Sequence, residues 1–136
     1  MFAAVLTAER APAATLKVLH SFCAKPNCAD GSTPMGDVFV DSSGTLYGTA
    51  ASGGAHNGGV VYRLRRAAGT GRWKYTTLYN FCTKPGCADG TGPLGRLIAD
   101  MNGGLYGVTL GGGSGGTAFE LMPHSGEWTL KTLHRF

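Results

Sequence analysis

The most constraining feature of the sequence is an internal repeat. Residues 19–31 return as residues 78–90, with the same order of Phe-Cys, Lys-Pro and Cys-Ala-Asp-Gly. The match continues where Leu-Tyr-Gly at 46–48 falls on the same letters at 105–107, and Leu-His-Arg-Phe at 133–136 matches the start of a third copy. A repeat unit rarely buries its apolar surface alone, so the sequence predicts units that pack on neighbours of their own kind.

The composition favours many short strands joined by tight turns. Of 136 residues, 43% are hydrophobic, only 15% are charged and 23 are glycine, the residue that reaches positive φ most easily. No apolar run reaches the roughly 18–20 residues of a membrane span, so we expect none. We expect a flexible leader at 1–14 and one domain at 15–136, with repeat 1 at about 23–81 and repeat 2 at about 82–136.

Turn signals divide each repeat into four strand-length pieces, none with the spacing of an amphipathic helix. In repeat 1 the predicted strands are 36–40, 45–49, 60–64 and 73–81. The fourth strand has further copies at 15–22 and 128–136, so one copy is surplus to the two repeats. Strict alternation along the three copies predicts two faces. One carries Leu16/Tyr75/Leu130, Val18/Thr77/Thr132 and Phe22/Phe81/Phe136, and the other carries Leu19/Leu78/Leu133.

The predicted fold class is therefore all-β, built from antiparallel four-stranded repeats. The unit has the size of one propeller blade, somewhat lengthened by its cysteine loop. We expect β-propeller-like blades, two repeats plus an extra strand, with a flat sandwich or a solenoid as the alternative. Two blades cannot close a ring, since propellers use about four to eight.

The motifs also resemble a known family. Phe, Asp-Gly-x-x-Pro, Asp-x-x-Gly-x-Leu-Tyr-Gly-Thr and a Gly-Gly-rich segment before Val-Val-Tyr are similar to the unit of the bacterial tandem-repeat proteins labelled GloVer. The resemblance covers about residues 15–136, although the second repeat has Val108 where the first has Thr49. It implies a propeller-like, secreted or surface-anchored bacterial protein, and it implies no activity.

Four cysteines form two identical pairs, each with four residues between its members. Local disulfides, Cys23 with Cys28 and Cys82 with Cys87, are favoured because each loop already holds a Pro-Asn or Pro-Gly turn. Free thiols and a shared metal are the alternatives, but a zinc site needs all four thiolates together, and equivalent loops of neighbouring blades lie apart. Disulfides indicate an oxidising compartment, and we expect an extracellular or cell-surface location and no bound metal.

Repeated aromatic and polar positions are the candidate binding residues. His20, Tyr79 and His134 occupy one position in three copies, where the plainer interpretation is a half-buried strand end. Trp73 and Trp128 begin the fourth strand of each repeat, where an indole can stack on a sugar or simply complete the core.

Two further candidates follow the cysteine loops. Asp30 and Asp89 can offer a carboxylate to a sugar hydroxyl or to calcium, but Asp-Gly after a loop is first of all a turn. A basic hairpin at 63–74 is not repeated, since repeat 2 carries Glu120 and Glu127 there, so no nucleic-acid partner is expected despite the net charge of +4.

No asymmetric catalytic constellation is visible, so we expect neither an enzyme nor a cofactor. The first functional hypothesis is a secreted or cell-surface repeat module for binding, with carbohydrate as the candidate ligand. The alternative is a structural repeat protein that assembles with other copies of itself into a ring or filament, with no small-molecule ligand.

Overall fold

The computed structural model describes residues 12–136, and their fold is almost entirely β. Within this range eight strands form two four-stranded antiparallel sheets, one from each repeat, and each strand pairs with the next along the chain. The first sheet contains β1 (Phe39–Val40), β2 (Leu46–Ala50), β3 (Val60–Arg66) and β4 (Trp73–Asn80). The second contains β5 (Thr91–Ala99), β6 (Leu105–Gly111), β7 (Thr117–His124) and β8 (Glu127–Arg135).

These sheets confirm the predicted all-β class and its four-stranded antiparallel repeat. They do not close into a ring, so the likeness to propeller blades is a loose one. No helix of the described residues is long and apolar enough to cross a membrane. Residues 1–11 of the predicted leader lie outside the described part of the chain.

The two sheets stack in the same orientation. We call the side of the first sheet that carries Tyr62 and Leu64 its front face, and the side that carries Tyr47 and Val61 its back face. The equivalent front face of the second sheet lies against the back face of the first. The buried residues of this shared core are Val61, Leu78, Phe81, Leu97, Leu105, Phe119 and Leu121.

A bulge in the fourth strand corrects the predicted distribution of residues between faces. Tyr79 pairs with Val61 and Thr77 pairs with Tyr62, which leaves Leu78 as an extra residue. Beyond a bulge the side chains change sides, so Tyr75 packs on the front of its own sheet while Phe81 enters the shared core. The alternation that placed Tyr75 and Phe81 on one face was wrong for this reason. β8 carries the same shift, with Leu133 as its extra residue.

The predicted extra strand at 15–22 is also wrong. Residues 12–21 form neither strand nor helix, because no third strand precedes them in the described chain to supply hydrogen bonds. Leu16 and Val18 remain exposed, at 95% and 69%. Leu19 and Phe22 nevertheless pack on the front face of the first sheet, where they cover a cluster that contains Val60. The ends of the first two copies thus do the same thing, since Leu78 and Phe81 cover the second sheet.

Candidate functional site

The two cysteine loops have the same local structure. Disulfides join Cys23 to Cys28 and Cys82 to Cys87, as predicted. Each loop contains a single 3-10 turn, Pro26–Cys28 or Pro85–Cys87, whose middle residue lies in the left-handed region. Asparagine and glycine are the residues that tolerate this conformation best, which explains Pro-Asn in one loop and Pro-Gly in the other.

A fully buried aspartate organises the second loop. Asp89 accepts hydrogen bonds from the hydroxyl of Tyr79 at 2.8 Å and from the hydroxyl of Thr83 at 2.7 Å. It also accepts the backbone N–H groups of Thr83 and Lys84, at 3.0 and 3.1 Å. One carboxylate therefore holds three donors of the loop that follows β4 and one donor, Tyr79, at the end of β4 itself.

The first loop is built in the same way with a histidine in the tyrosine position. Asp30 lies 3.0 Å from Nε2 of His20 and accepts the backbone N–H groups of Ala24 and Lys25. Its own carbonyl accepts the hydroxyl of Tyr75 at 2.6 Å, and the His20 ring stacks on the Tyr75 ring at 3.9 Å. The first loop is thereby fixed to the front of the first sheet.

These contacts hold the carboxylates in their charged form. Burial alone raises the pKa of Asp89, but hydrogen bonds from Thr83, Tyr79 and Lys84 outweigh it, so the pKa lies below the usual value. The pKa of Asp30 is lowered for the same reason, by Lys25, Ala24 and His20 against the effect of burial. Burial and the neighbouring Asp89 raise the pKa of Tyr79 to about 12, so it stays a donor at neutral pH.

The structure therefore brings four of the candidate residues together in two separate pairs. His20 meets Asp30 and Tyr79 meets Asp89, and in each pair the two side chains satisfy one another. His134, the third member of the series, is exposed at the end of β8, with its ring 4.8 Å from that of Phe136.

The two tryptophans lie on the cores. Trp73 packs against the front-face cluster of the first sheet, and the guanidinium of Arg66 lies 5.2 Å from its ring. Trp128 packs against the shared core. Both indoles are half-buried, so one edge of each remains open to solvent.

A cleft of about 590 Å³ lies between the β1–β2 turn and the β5–β6 turn. Phe39, Tyr47 and Leu105 form its apolar floor, while Asp41 and Asp100 stand at its two sides. Both aspartates cap their own turns through backbone N–H groups, for example Thr45 and Gly104. The motif Asp-x-x-Gly-x-Leu-Tyr-Gly, which begins with these two aspartates, supported only the family resemblance in the sequence. Its occurrence once in each repeat was the available signal for the cleft.

A second depression lies on the back face of the second sheet. It measures about 270 Å³ and is lined by Leu94, Arg96, Ile98, Tyr106 and Val108, together with two glycines. We call it the back groove. The pattern of exposed apolar side chains in β5 and β6 was the signal for it, but sequence alone does not tell which face of a stacked sheet stays open.

No group of three or more His, Cys, Asp or Glu side chains among residues 12–136 is placed to hold a metal ion. Comparison of the chain with curated proteins gives no match. The sequence profile of the Gloeobacter/Verrucomicrobia repeat matches residues 6–136, which is nearly the whole chain. The chain therefore belongs to the Gloeobacter/Verrucomicrobia repeat family, in agreement with the GloVer resemblance of its motifs.

Proposed function

We propose that this chain is a structural module that works by stacking with further units of the same repeat. The proposal rests on a difference in coverage between the back faces of the two sheets. The back face of the first sheet is covered by the second sheet, whereas the back face of the second sheet exposes Ile98, Val108 and Leu110 at 63%, 48% and 68%.

The grouping of these exposed apolar side chains supports an interface. Three large side chains on adjacent strands form a patch, and contiguous apolar patches mark interaction sites more often than scattered side chains do. Covering each of them recovers roughly 25 cal/mol per Å² of apolar area. The partner class that fits such a face is another β-sheet of the same kind, since that is what covers the equivalent face within the chain.

This proposal changes the weight of the two hypotheses drawn from the sequence. The hydrogen-bonding groups of Asp30 and Asp89 are directed at donors of their own loops, which favours a structural role for these residues over ligand binding. Because these polar groups are already used within their own loops, we also propose that the module has no catalytic role and uses neither a cofactor nor nucleic acid. The two disulfides support a proposed location outside the cytoplasm, secreted or at the surface of a bacterial cell.

Sedimentation velocity of the wild type and of Val108→Asp tests the stacking function. We expect the wild type to self-associate with rising concentration, and the variant to sediment as a 14.1 kDa monomer, because a carboxylate in a buried sheet contact is costly. Leu16→Asp is the matched control, since Leu16 is 95% exposed and lies outside the back face. A wild type that stays monomeric at all concentrations, or equal association of wild type and Val108→Asp, contradicts the proposal.

Carbohydrate binding is the second candidate function, and the cleft between the two turns favours it. An aromatic floor of Phe39 and Tyr47 beside the Asp41 carboxylate has the chemistry that neutral sugars use, apolar stacking together with a hydroxyl acceptor. Titration of the protein with a panel of neutral oligosaccharides, followed by NMR, tests it. We expect shifts at Tyr47 that Phe39→Ala abolishes; no shift in the millimolar range rejects this candidate.

A further inference from the structure

The chain contains a complete example of how one unit covers the next. On the first sheet, the positions equivalent to the back groove include Gly36 and Thr49, and β5 of the second repeat lies over them. The approach is close, because a Cβ added to Gly36 would lie 2.5 Å from the carbonyl oxygen of Gly95. Leu97, which follows in β5, is only 1% exposed and belongs to the shared core.

The second sheet has the same groove without a cover. Its glycine, Gly95, is equivalent to Gly36, and a Cβ built there meets nothing within 4 Å. The lining residues Leu94, Ile98 and Val108 therefore form a groove that can receive a segment equivalent to β5. We call such a covering segment the inserting half of the interface; within this chain, β5 itself already covers the first sheet.

The first repeat carries a second inserting half. Residue 38 is equivalent to residue 97, and Val38 is 45% exposed where Leu97 is buried. Met35 and Val40 beside it are also exposed, at 70% and 54%. Phe39 of this segment packs toward the shared core, so its neighbour Val38 faces the other side, the front of the first sheet, which points away from the back groove.

We propose that residues 35–40 of a second copy of this chain occupy the back groove, with Val38 in the place that Leu97 holds inside the chain. This inference rests on the stacking function proposed above and adds the partner and the register. The contact is head to tail, so each copy uses its groove and its segment on different neighbours, which leads to a ring or a filament.

One rearrangement accompanies the contact. The end of β8, with Leu133 and Phe136, arrives at the cluster that Leu19 and Phe22 of the second copy cover. Two equivalent segments cannot share one place. β8 is paired with β7 over most of its length, whereas residues 12–21 have no strand partner and are held by side chains, chiefly His20 on Asp30 and Tyr75. We therefore expect the N-terminal segment to give up these side-chain contacts when the second copy binds.

Complementation of two single variants tests the register. Val38→Asp keeps the groove and loses the segment, while Val108→Asp keeps the segment and loses the groove. We expect each variant alone to be a monomer, and an equimolar mixture to form a complex of about 28 kDa, twice the 14.1 kDa of one chain, that grows no further. Leu16→Asp serves as the control that assembles like the wild type, and circular dichroism checks that each variant keeps its β-structure.

The outcomes separate the register from the stacking function. If Val108→Asp is monomeric but Val38→Asp still associates, the head-to-tail register is wrong, and two back faces meet instead. If both variants are monomeric and their mixture gives no heterodimer, the register is likewise overturned. If neither substitution changes the association of the protein, the stacking function itself fails.

Discussion

Three phenylalanines at equivalent positions provide a test of the overlap between successive units. Phe81 is completely buried, and its ring makes edge contacts with Phe119 at 5.2 Å and Tyr79 at 5.1 Å. Phe22 is half-buried against Tyr62, with ring centroids 5.0 Å apart. Phe136 is 62% exposed. The same substitution, phenylalanine to alanine, can therefore be made at three equivalent positions whose side chains differ in burial.

The expected costs follow from this coverage. Removing a fully buried phenylalanine costs about 3–5 kcal/mol in free energy of unfolding, and Phe81→Ala belongs at the upper end because it also loses two aromatic pairs. We expect about 2 kcal/mol for Phe22→Ala, and less than about 1 kcal/mol for Phe136→Ala, because most of its ring is already in water.

Urea unfolding followed by tryptophan fluorescence measures the series. The three changes are made in the Val108→Asp background, so that assembly does not add to stability. With an m value of about 2 kcal/mol per M, Phe81→Ala lowers the midpoint by about 2 M, and Phe136→Ala lowers it by less than about 0.5 M. Equal shifts at Phe81 and Phe136, or a cost below about 1.5 kcal/mol at Phe81, would refute the view that the end of the fourth strand belongs to the following unit.

Three further outcomes are expected. The pKa of Asp89 is lowered by folding, so its contribution to the free energy of unfolding is present above about pH 4 and is lost as the pH falls through the folded pKa. Asp89→Asn should flatten this part of an acid unfolding curve and lower the free energy of unfolding by about 1.5–3 kcal/mol at pH 7. Gly36→Ala should lower the urea midpoint, by about 1–3 kcal/mol in free energy, because the new methyl group meets the backbone of Gly95, and an unchanged midpoint would contradict the close contact of the sheets. Reducing the disulfides opens two rings of six residues and should cost about 2 kcal/mol for each, read from thermal unfolding with and without reductant, and the absence of any shift would count against closed rings.

The strand positions were the most predictable part of this fold, because turn residues mark them twice. The segments predicted at 45–49, 60–64 and 73–81 correspond to β2, β3 and β4 with differences of one or two residues at most ends. The cysteine pairing was equally accessible, since a loop that already contains a turn brings its own ends together.

Two features depended on partners and registers that a single sequence does not display. Residues 15–22 have the composition of a fourth strand, but no strand among residues 12–136 pairs with them, and a strand forms only by pairing with a neighbour. The bulge at Leu78 moves the following side chains to the other face, and nothing in the alternation of residues announces it.

The two buried pairs of the candidate site were predictable only in part, from their spacing in the sequence. His20 and Asp30 are ten residues apart, and so are Tyr79 and Asp89, which is a conspicuous recurrence. The sequence placed all four among the binding candidates because His20 and Tyr79 recur at one position of the repeat, and because Asp30 and Asp89 can offer carboxylates to a ligand. The structure shows instead that each aspartate is turned inward by the short loop that its disulfide closes.

The bulge in β4 also determines where one unit ends and the next begins. The first half of the strand packs on its own sheet, while Leu78 near its end and Phe81 just after it pack in the core shared with the following sheet. Neighbouring units therefore overlap, because the end of one repeat contributes side chains to the core of the next. Unfolding of the first unit would expose the side chains of the second sheet that Leu78 and Phe81 cover. Since the two sheets share one core, unfolding of either unit uncovers the other. A unit excised at the borders of its sheet would lack the residues that close its core.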